Sequence, residues 1–285
     1  MASDQTSPLP PDTGFDFVGM ANLHHDIYPA IDATSNAALQ QPGKVVLITG
    51  AGRGLGRAMA LQYAHASAGT IILCARTSSE LDEVASSIQK INSSVRVRKQ
   101  VLSVTDGPAI KQLAASVRDE EGRLDVLVNN AGMTNPWAPL ADADLDAYWA
   151  VLEVNLRHGR HVNVVNVTSI GAVTVVPGGG AYGISKLALQ RMSEFVAVEY
   201  GAKGVNVVGL HPGGVETKLA SGVEEVKQYL IDTAELCGGF VVWLTSQDRA
   251  WLNGRYVSAT WDADSLEKKK EEIVDGDKLK VKMVV

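Results

Sequence analysis

Short runs rich in Val, Ile and Leu alternate along this chain with longer stretches whose apolar residues recur every three or four positions. The first pattern predicts strands and the second predicts helices with one buried face. Strands are expected at 45–49, 70–75, 95–102, 124–129, 162–168, 205–210 and 256–259, and helices at 54–65, 79–91, 107–120, 143–157, 182–200 and 233–244. Regular strand–helix alternation describes repeated βα units, so the expected fold class is α/β, a doubly wound parallel sheet in a single domain covering residues 43–260. Residues 1–42 are rich in Ser, Pro, Asp and Ala without sustained periodicity and read as an N-terminal arm. Residues 261–285 read as a charged C-terminal tail in which Ser265, Leu266 and Glu267 open a helix and residues 279–285 alternate like an edge strand.

Composition narrows the function classes. The 285 residues are 46% hydrophobic and 20% charged, ordinary for a globular domain and foreign to a disordered, collagen-like or coiled-coil chain. The net charge is -6, and the basic run Lys268 to Lys270 is followed at once by Glu271 and Glu272, which sets a nucleic-acid partner aside. Cys74 and Cys237 form neither a disulfide framework nor a zinc spacing, which implies a reducing compartment. No apolar run approaches the roughly 18 residues of a membrane span, and the first thirty residues lack a basic and apolar leader, so the expected location is cytoplasmic, with no membrane partner. Among the histidines, His24, His25, His158, His161 and His211 make no metal-ligand spacing, and no metal is expected.

The first strand leads into Thr49-Gly50-Ala51-Gly52-Arg53-Gly54-Leu55-Gly56 and then a helix. A pyrophosphate needs bare backbone at close approach and the N–H groups of a helix start, and glycines in a strand-to-helix turn supply both. The spacing is T-G-x-x-x-G-x-G. At the end of the second strand, where a carboxylate would bind the adenosine 2′-hydroxyl and repel a 2′-phosphate, the chain has Ala75 followed by Arg76. Arg53 and Arg76 offer two guanidinium groups to one phosphate, so the expected cofactor is NADP(H).

Tyr182-Gly183-Ile184-Ser185-Lys186 opens the helix after the fifth strand, placing Tyr182 and Lys186 one turn apart on one face. A phenol with a pKa near 10 is a poor acid or base at neutral pH unless a cation stabilises its phenolate, and Lys186 is placed to do so. Ser169 ends the preceding strand, 13 residues before Tyr182, where its hydroxyl can hydrogen-bond a substrate oxygen. A Tyr–Lys pair alone is more often a surface pair; the glycine turn and Ser169 in this order favour catalysis.

Together the motifs resemble the short-chain dehydrogenases/reductases in their single-domain form, over about residues 43–260. They are Thr49-Gly50-x-x-x-Gly54-x-Gly56, Asn129-Asn130-Ala131-Gly132, Asn155, Ser169, Tyr182-x-x-x-Lys186, and Pro212-Gly213 with Thr217. The resemblance implies a Rossmann fold and a catalytic set of Ser169, Tyr182, Lys186 and Asn155, the last holding a water in the proton relay. It implies that Leu55, Asn129, Ala131 and Gly132 border the cofactor or brace the strand beside it, and that Val215 and Thr217 face the nicotinamide carboxamide. Trp251-Leu252-Asn253-Gly254-Arg255-Tyr256 with Trp261-Asp262 resembles a branch of fungal enzymes of specialised metabolism.

Two departures stand out. Ser103 occupies the place of an Asp usual near the third strand's end, and 13 residues separate Asn155 from Ser169, about half the usual span. Six residues reach about 9 Å as helix and about 20 Å extended, against about 23 Å for a seven-residue strand. Either Asn155 sits in a last helical turn away from the active edge or the strand starts late. The family's members are commonly dimers or tetramers, which implies a homo-oligomer, but the shortening removes interface surface. The expected activity is hydride transfer between NADP(H) and a ketone or secondary alcohol of small or medium size. The alternatives are a dinucleotide-binding protein without turnover and an epimerase or dehydratase that regenerates its cofactor.

Overall fold

A computed structural model describes residues 20, 23–135, 137, 144, 146–147, 150–151, 154 and 163–283. Among them the strands form one parallel seven-stranded sheet in the order β3-β2-β1-β4-β5-β6-β7. They are β1 (Val45–Thr49), β2 (Thr70–Ala75), β3 (Arg96–Val101), β4 (Val126–Asn129), β5 (Asn163–Val167), β6 (Asn206–His211) and β7 (Tyr256–Ser258). The helices are α1 (Gly54–His65), α2 (Ser78–Ile91), α3 (Gly107–Glu121), α4 (Gly180–Tyr200), α5 (Ala234–Ser246), α6 (Ala263–Lys268) and α7 (Lys270–Asp275). β1, α1 and β2 coincide residue for residue with the hydrophobic pattern, and the other strands differ from it by one or two residues at an end.

Both faces of the sheet are covered, so its central strands carry unbroken apolar runs. Val46 and Ile48 point into one core with Met59, Tyr63, Phe240 and Trp261, while Val45 and Leu47 point into the other with Leu113, Val117 and Val164. The edge strand β3 is mostly polar, with Val97 and Val101 set among Arg96, Arg98, Lys99 and Gln100. Its Arg98 is fastened to Glu121 at 2.9 Å and to Glu120 at 3.0 Å. Strand order reverses between β1 and β4, and the crevice at their C-terminal ends is where a doubly wound sheet binds ligands.

The segment before β1 packs on the domain: Met20, Ile31 and Leu39 are buried in the first core, and Leu23 pairs with Trp261. The tail differs from expectation. Its helix starts earlier, at Ala263, because the Asp262 carboxylate caps it by accepting the Ser265 N–H at 2.8 Å. Residues 279–283 form no strand. Asp277 and Leu279 take left-handed backbone (φ 44° and 64°), Asp277 draws in Lys280 and Lys282, and the Leu279 carbonyl accepts the Tyr256 N–H of β7 at 2.8 Å. Of the helix expected over 143–157, residues 146–147, 150–151 and 154 are helical and Val151 is fully buried. Asn155, His158, His161 and Trp149 lie outside the described residues.

Candidate active site

The glycine turn and β4 lock together through Thr49. Its hydroxyl accepts the N–H groups of Asn130 and Ala131, both at 3.0 Å, and donates to the Val128 carbonyl. The Asn130 amide donates back to the Thr49 and Gly50 carbonyls at 2.9 and 3.2 Å. Asn130 therefore shapes the turn, a role that sequence reasoning passed over although the residue stood inside a quoted motif. Gly50 and Gly54 have φ of 65° and 53°, which glycine alone adopts without strain. A side chain at Gly56 would run into the Gly50 carbonyl, and one at Gly50 would stand 2.9 Å from the Asn130 amide. The bare backbone thus leads directly into the N-terminus of α1, with Leu55 half-buried behind it.

Asn129 turns away from this turn, donating to Asn166 at 2.8 Å, and Asn166 donates to Ser193 at 2.9 Å, which braces β4, β5 and α4. Ala131 and Gly132 continue past the end of β4. On the other rim, Pro212, Gly213, Val215 and Thr217 follow β6, and the Thr217 methyl lies 3.5 Å from where a side chain on Gly54 would begin. That contact puts the loop after β6 against the glycine turn.

The two expected phosphate partners differ in surroundings. Arg76 is exposed just beyond β2, whereas Arg53 is paired with Glu80 at 2.8 Å. Glu80 lies in the first turn of α2 and also packs against Gly52. Glu80 thus sets a carboxylate beside Arg53 and the glycine turn, five residues beyond Ala75.

Ser169, Tyr182 and Lys186 come together beyond the end of β5. Ser169 caps a short turn, Ile170–Ala172, its hydroxyl accepting the Gly171 N–H at 3.1 Å. Tyr182 and Lys186 lie in the first turns of α4, with the ammonium 5.6 Å from the phenol ring centroid. Lys186 is buried and donates to the Val167 carbonyl at 2.8 Å, while Thr168 donates to the Lys186 carbonyl at 3.0 Å, so α4 is pinned to β5. Burial lowers the Lys186 pKa from 10.5 to about 8. Burial raises the Tyr182 phenol above its ordinary value of 10, and a hydrogen bond with Ser169 pulls it back down. Next to Ser169, the buried ring of His211 accepts the Ile170 N–H at 3.1 Å, and burial drives its pKa from 6.5 to about 4.

The profile of the short chain dehydrogenases matches residues 44–228. The chain belongs to that family. Among relatives of this short-chain dehydrogenase, mpl6 of Monascus purpureus, named a short chain dehydrogenase, is 42% identical, over 97% of this chain and 99% of that one. The hydroxynaphthalene reductase arp2 of Aspergillus fumigatus is 31% identical, over 76% of this chain and 90% of that one. Both are fungal, in keeping with the branch suggested by the residues around Trp251. A short chain dehydrogenase from Salmonella enterica serovar Typhi superposes with a TM-score of 0.71 at 25% identity, covering 79% of this chain and 98% of that one. A 7α-hydroxysteroid dehydrogenase complexed with NADH and 7-oxo glycochenodeoxycholic acid has a TM-score of 0.70 at 22% identity, over 79% of this chain and 95% of that one, a likeness of fold. The family binds nicotinamide dinucleotides, and the side-chain-free cradle at Gly50, Gly54 and Gly56 fits a pyrophosphate. Among the described residues no helix is long and apolar enough to cross a membrane, and no cluster of ligating side chains is spaced for a metal ion.

Proposed function

We propose that this short-chain dehydrogenase is an NADP(H)-dependent reductase that interconverts a ketone and a secondary alcohol, an intermediate of fungal specialised metabolism. The observation that carries this reading is the convergence of Ser169, Tyr182 and Lys186 beyond β5. The dinucleotide, when bound, supplies hydride to a carbonyl carbon. The protein does the rest. Ser169 and Tyr182 hydrogen-bond the carbonyl oxygen, and Tyr182 gives it a proton; the upward shift of its phenol keeps that proton available at neutral pH. Lys186, donating to Val167, fixes the start of α4 and stabilises the phenolate left behind. The glycine turn holds the pyrophosphate, and Ala131, Gly132, Pro212, Gly213, Val215 and Thr217 border the nicotinamide half. Exposed Arg76, and Arg53 once released from Glu80, take the 2′-phosphate.

The reading places the enzyme in the cytoplasm, in line with two free, buried cysteines. It also takes a second copy of the chain as partner. Ile184, Leu187, Phe195 and Val198 are exposed along one face of α4, the spacing of a face covered by self-association. Titration of NADPH against Trp fluorescence, followed by NADPH loss at 340 nm with a panel of carbonyl compounds, tests the proposal. Binding and carbonyl-dependent consumption are expected. Binding without turnover by the folded protein favours a non-catalytic dinucleotide binder instead, and product without net NADPH loss favours an epimerase or dehydratase.

A further inference from the structure

The segment ahead of β1 carries more than stability. It crosses the domain beside the loop that follows β6 and is fastened at both ends. His24 N–H donates to the Thr260 carbonyl at 2.8 Å and the His24 ring meets Asp262 at 2.9 Å; further along, Ile31 is fully buried. Between these anchors His25 and Asp26 grip the residues leading into α5. The His25 carbonyl accepts Thr233 N–H at 2.9 Å, and the Asp26 carboxylate accepts the Thr233 hydroxyl at 2.6 Å.

Asp232 is the joint. One carboxylate oxygen meets His25 Nδ1 at 2.6 Å, and the other accepts the Gly214 N–H at 2.6 Å. Its N–H donates to the Gly214 carbonyl at 2.8 Å, and Asp232 bridges to Val215. The side chain is only 5% exposed, whereas that of His25 is 53% exposed. Gly213 has φ of 91°, and a side chain there would stand 2.6 Å from the Asp232 carboxylate, so the turn closes directly on this acid. Three residues beyond Gly214, Thr217 lies against Gly54 of the glycine turn.

We infer that Asp232, held by His25 of the N-terminal segment, is a positioning residue that fixes the turn at Gly213 and Gly214 and thereby the nicotinamide end of the crevice. The inference rests on the proposed reading of loop 212–217 as the nicotinamide border. Asp232 touches no reacting atom; it acts through the backbone of Gly214. It sets how well the nicotinamide half is held, while the adenosine half is held elsewhere, at the glycine turn and the arginines.

Wild type, Asp232→Asn, Asp232→Ala and His25→Ala are titrated, as full-length protein, with NADPH and NADH, and with the adenosine fragment matching the better of the two, 2′,5′-ADP or ADP. Melting temperatures are recorded alongside. Asp232→Ala is expected to weaken dinucleotide binding about tenfold and His25→Ala about threefold, both leaving the fragment within about twofold of wild type. Asp232→Asn, which keeps an acceptor for Gly214 N–H, restores affinity to within about twofold. Unchanged dinucleotide affinity in Asp232→Ala overturns the inference alone. So does an equal loss for dinucleotide and fragment, not rescued by Asn and accompanied by a lower melting temperature, since that marks general loosening. Failure of the wild type to bind either dinucleotide brings down the cofactor reading and this inference with it.

Discussion

The His211 imidazole accepts the backbone N–H of Ile170 at 3.1 Å, and Ile170 directly follows Ser169. A protonated imidazole has no free acceptor nitrogen, so this contact requires neutral His211. Its pKa of about 4 secures that state over the whole neutral range. His211→Leu leaves a buried N–H without a partner, which costs about 1–3 kcal/mol, and releases the turn that aims Ser169; kcat is expected to fall tenfold or more. His211→Asn retains an acceptor and keeps most of the activity. The folded protein takes up this proton near pH 4 and the unfolded chain near 6.5, so stability is complete above 6.5 and falls between 6.5 and 4. The contribution is on the order of 3 kcal/mol, and the acid limb of a denaturation series should flatten in His211→Asn, which does not titrate.

In the proposed mechanism, Lys186 pulls stability and function in opposite directions. Burial lowers its pKa to about 8 against 10.5 in the unfolded chain, so holding it charged opposes folding below pH 8, and the opposition fades as pH rises to 10.5. Lys186→Met is therefore expected to be more stable than wild type at pH 7, by up to about 3 kcal/mol less about 1 kcal/mol for the lost bond to Val167. It should also be nearly inactive. In the wild type, kcat/KM for reduction should decline above pH about 8 as the ammonium loses its proton. A Lys186→Met protein that is both less stable and active contradicts this assignment.

Under the proposed NADP(H) reading, cofactor preference turns on Glu80 as much as on the arginines. It holds Arg53 at 2.8 Å, so a 2′-phosphate has to compete with a carboxylate for that guanidinium. Glu80→Gln should tighten NADPH binding about threefold to tenfold and leave NADH little changed. Arg76→Asp should move the NADPH/NADH affinity ratio at least about tenfold toward NADH. Unchanged ratios in both variants would contradict the placement of the 2′-phosphate.

Much of the fold was legible because parallel strands buried on both faces must be apolar throughout. Val45 to Thr49 and Thr70 to Ala75 state their own limits, and Gly50, Gly54 and Gly56 state the turn between β1 and α1. Tyr182 and Lys186 were legible because helical spacing alone puts them on one face. What escaped the sequence reading joins residues far apart in the chain. Glu80 reaches Arg53 across 27 positions, His211 reaches Ile170 across 41, and Asp232 reaches His25 across 207. No local period records such contacts. Of the edge strand expected at 279–285, residues 279–283 form none for a similar reason: alternation was present, but the ion pairs of Asp277 and the left-handed Leu279 turn the backbone off β7, while 284 and 285 lie outside the described residues.

In the proposed mechanism, Tyr182 delivers the proton at a carbonyl held beside the glycine crevice. Tyr182→Phe tests this step, with kcat/KM for carbonyl reduction and NADPH affinity measured on the same preparation. Intact binding and a loss of at least a hundredfold in kcat/KM, about 2–4 kcal/mol of transition-state stabilisation, are expected. Near-normal turnover by the phenylalanine variant would contradict it.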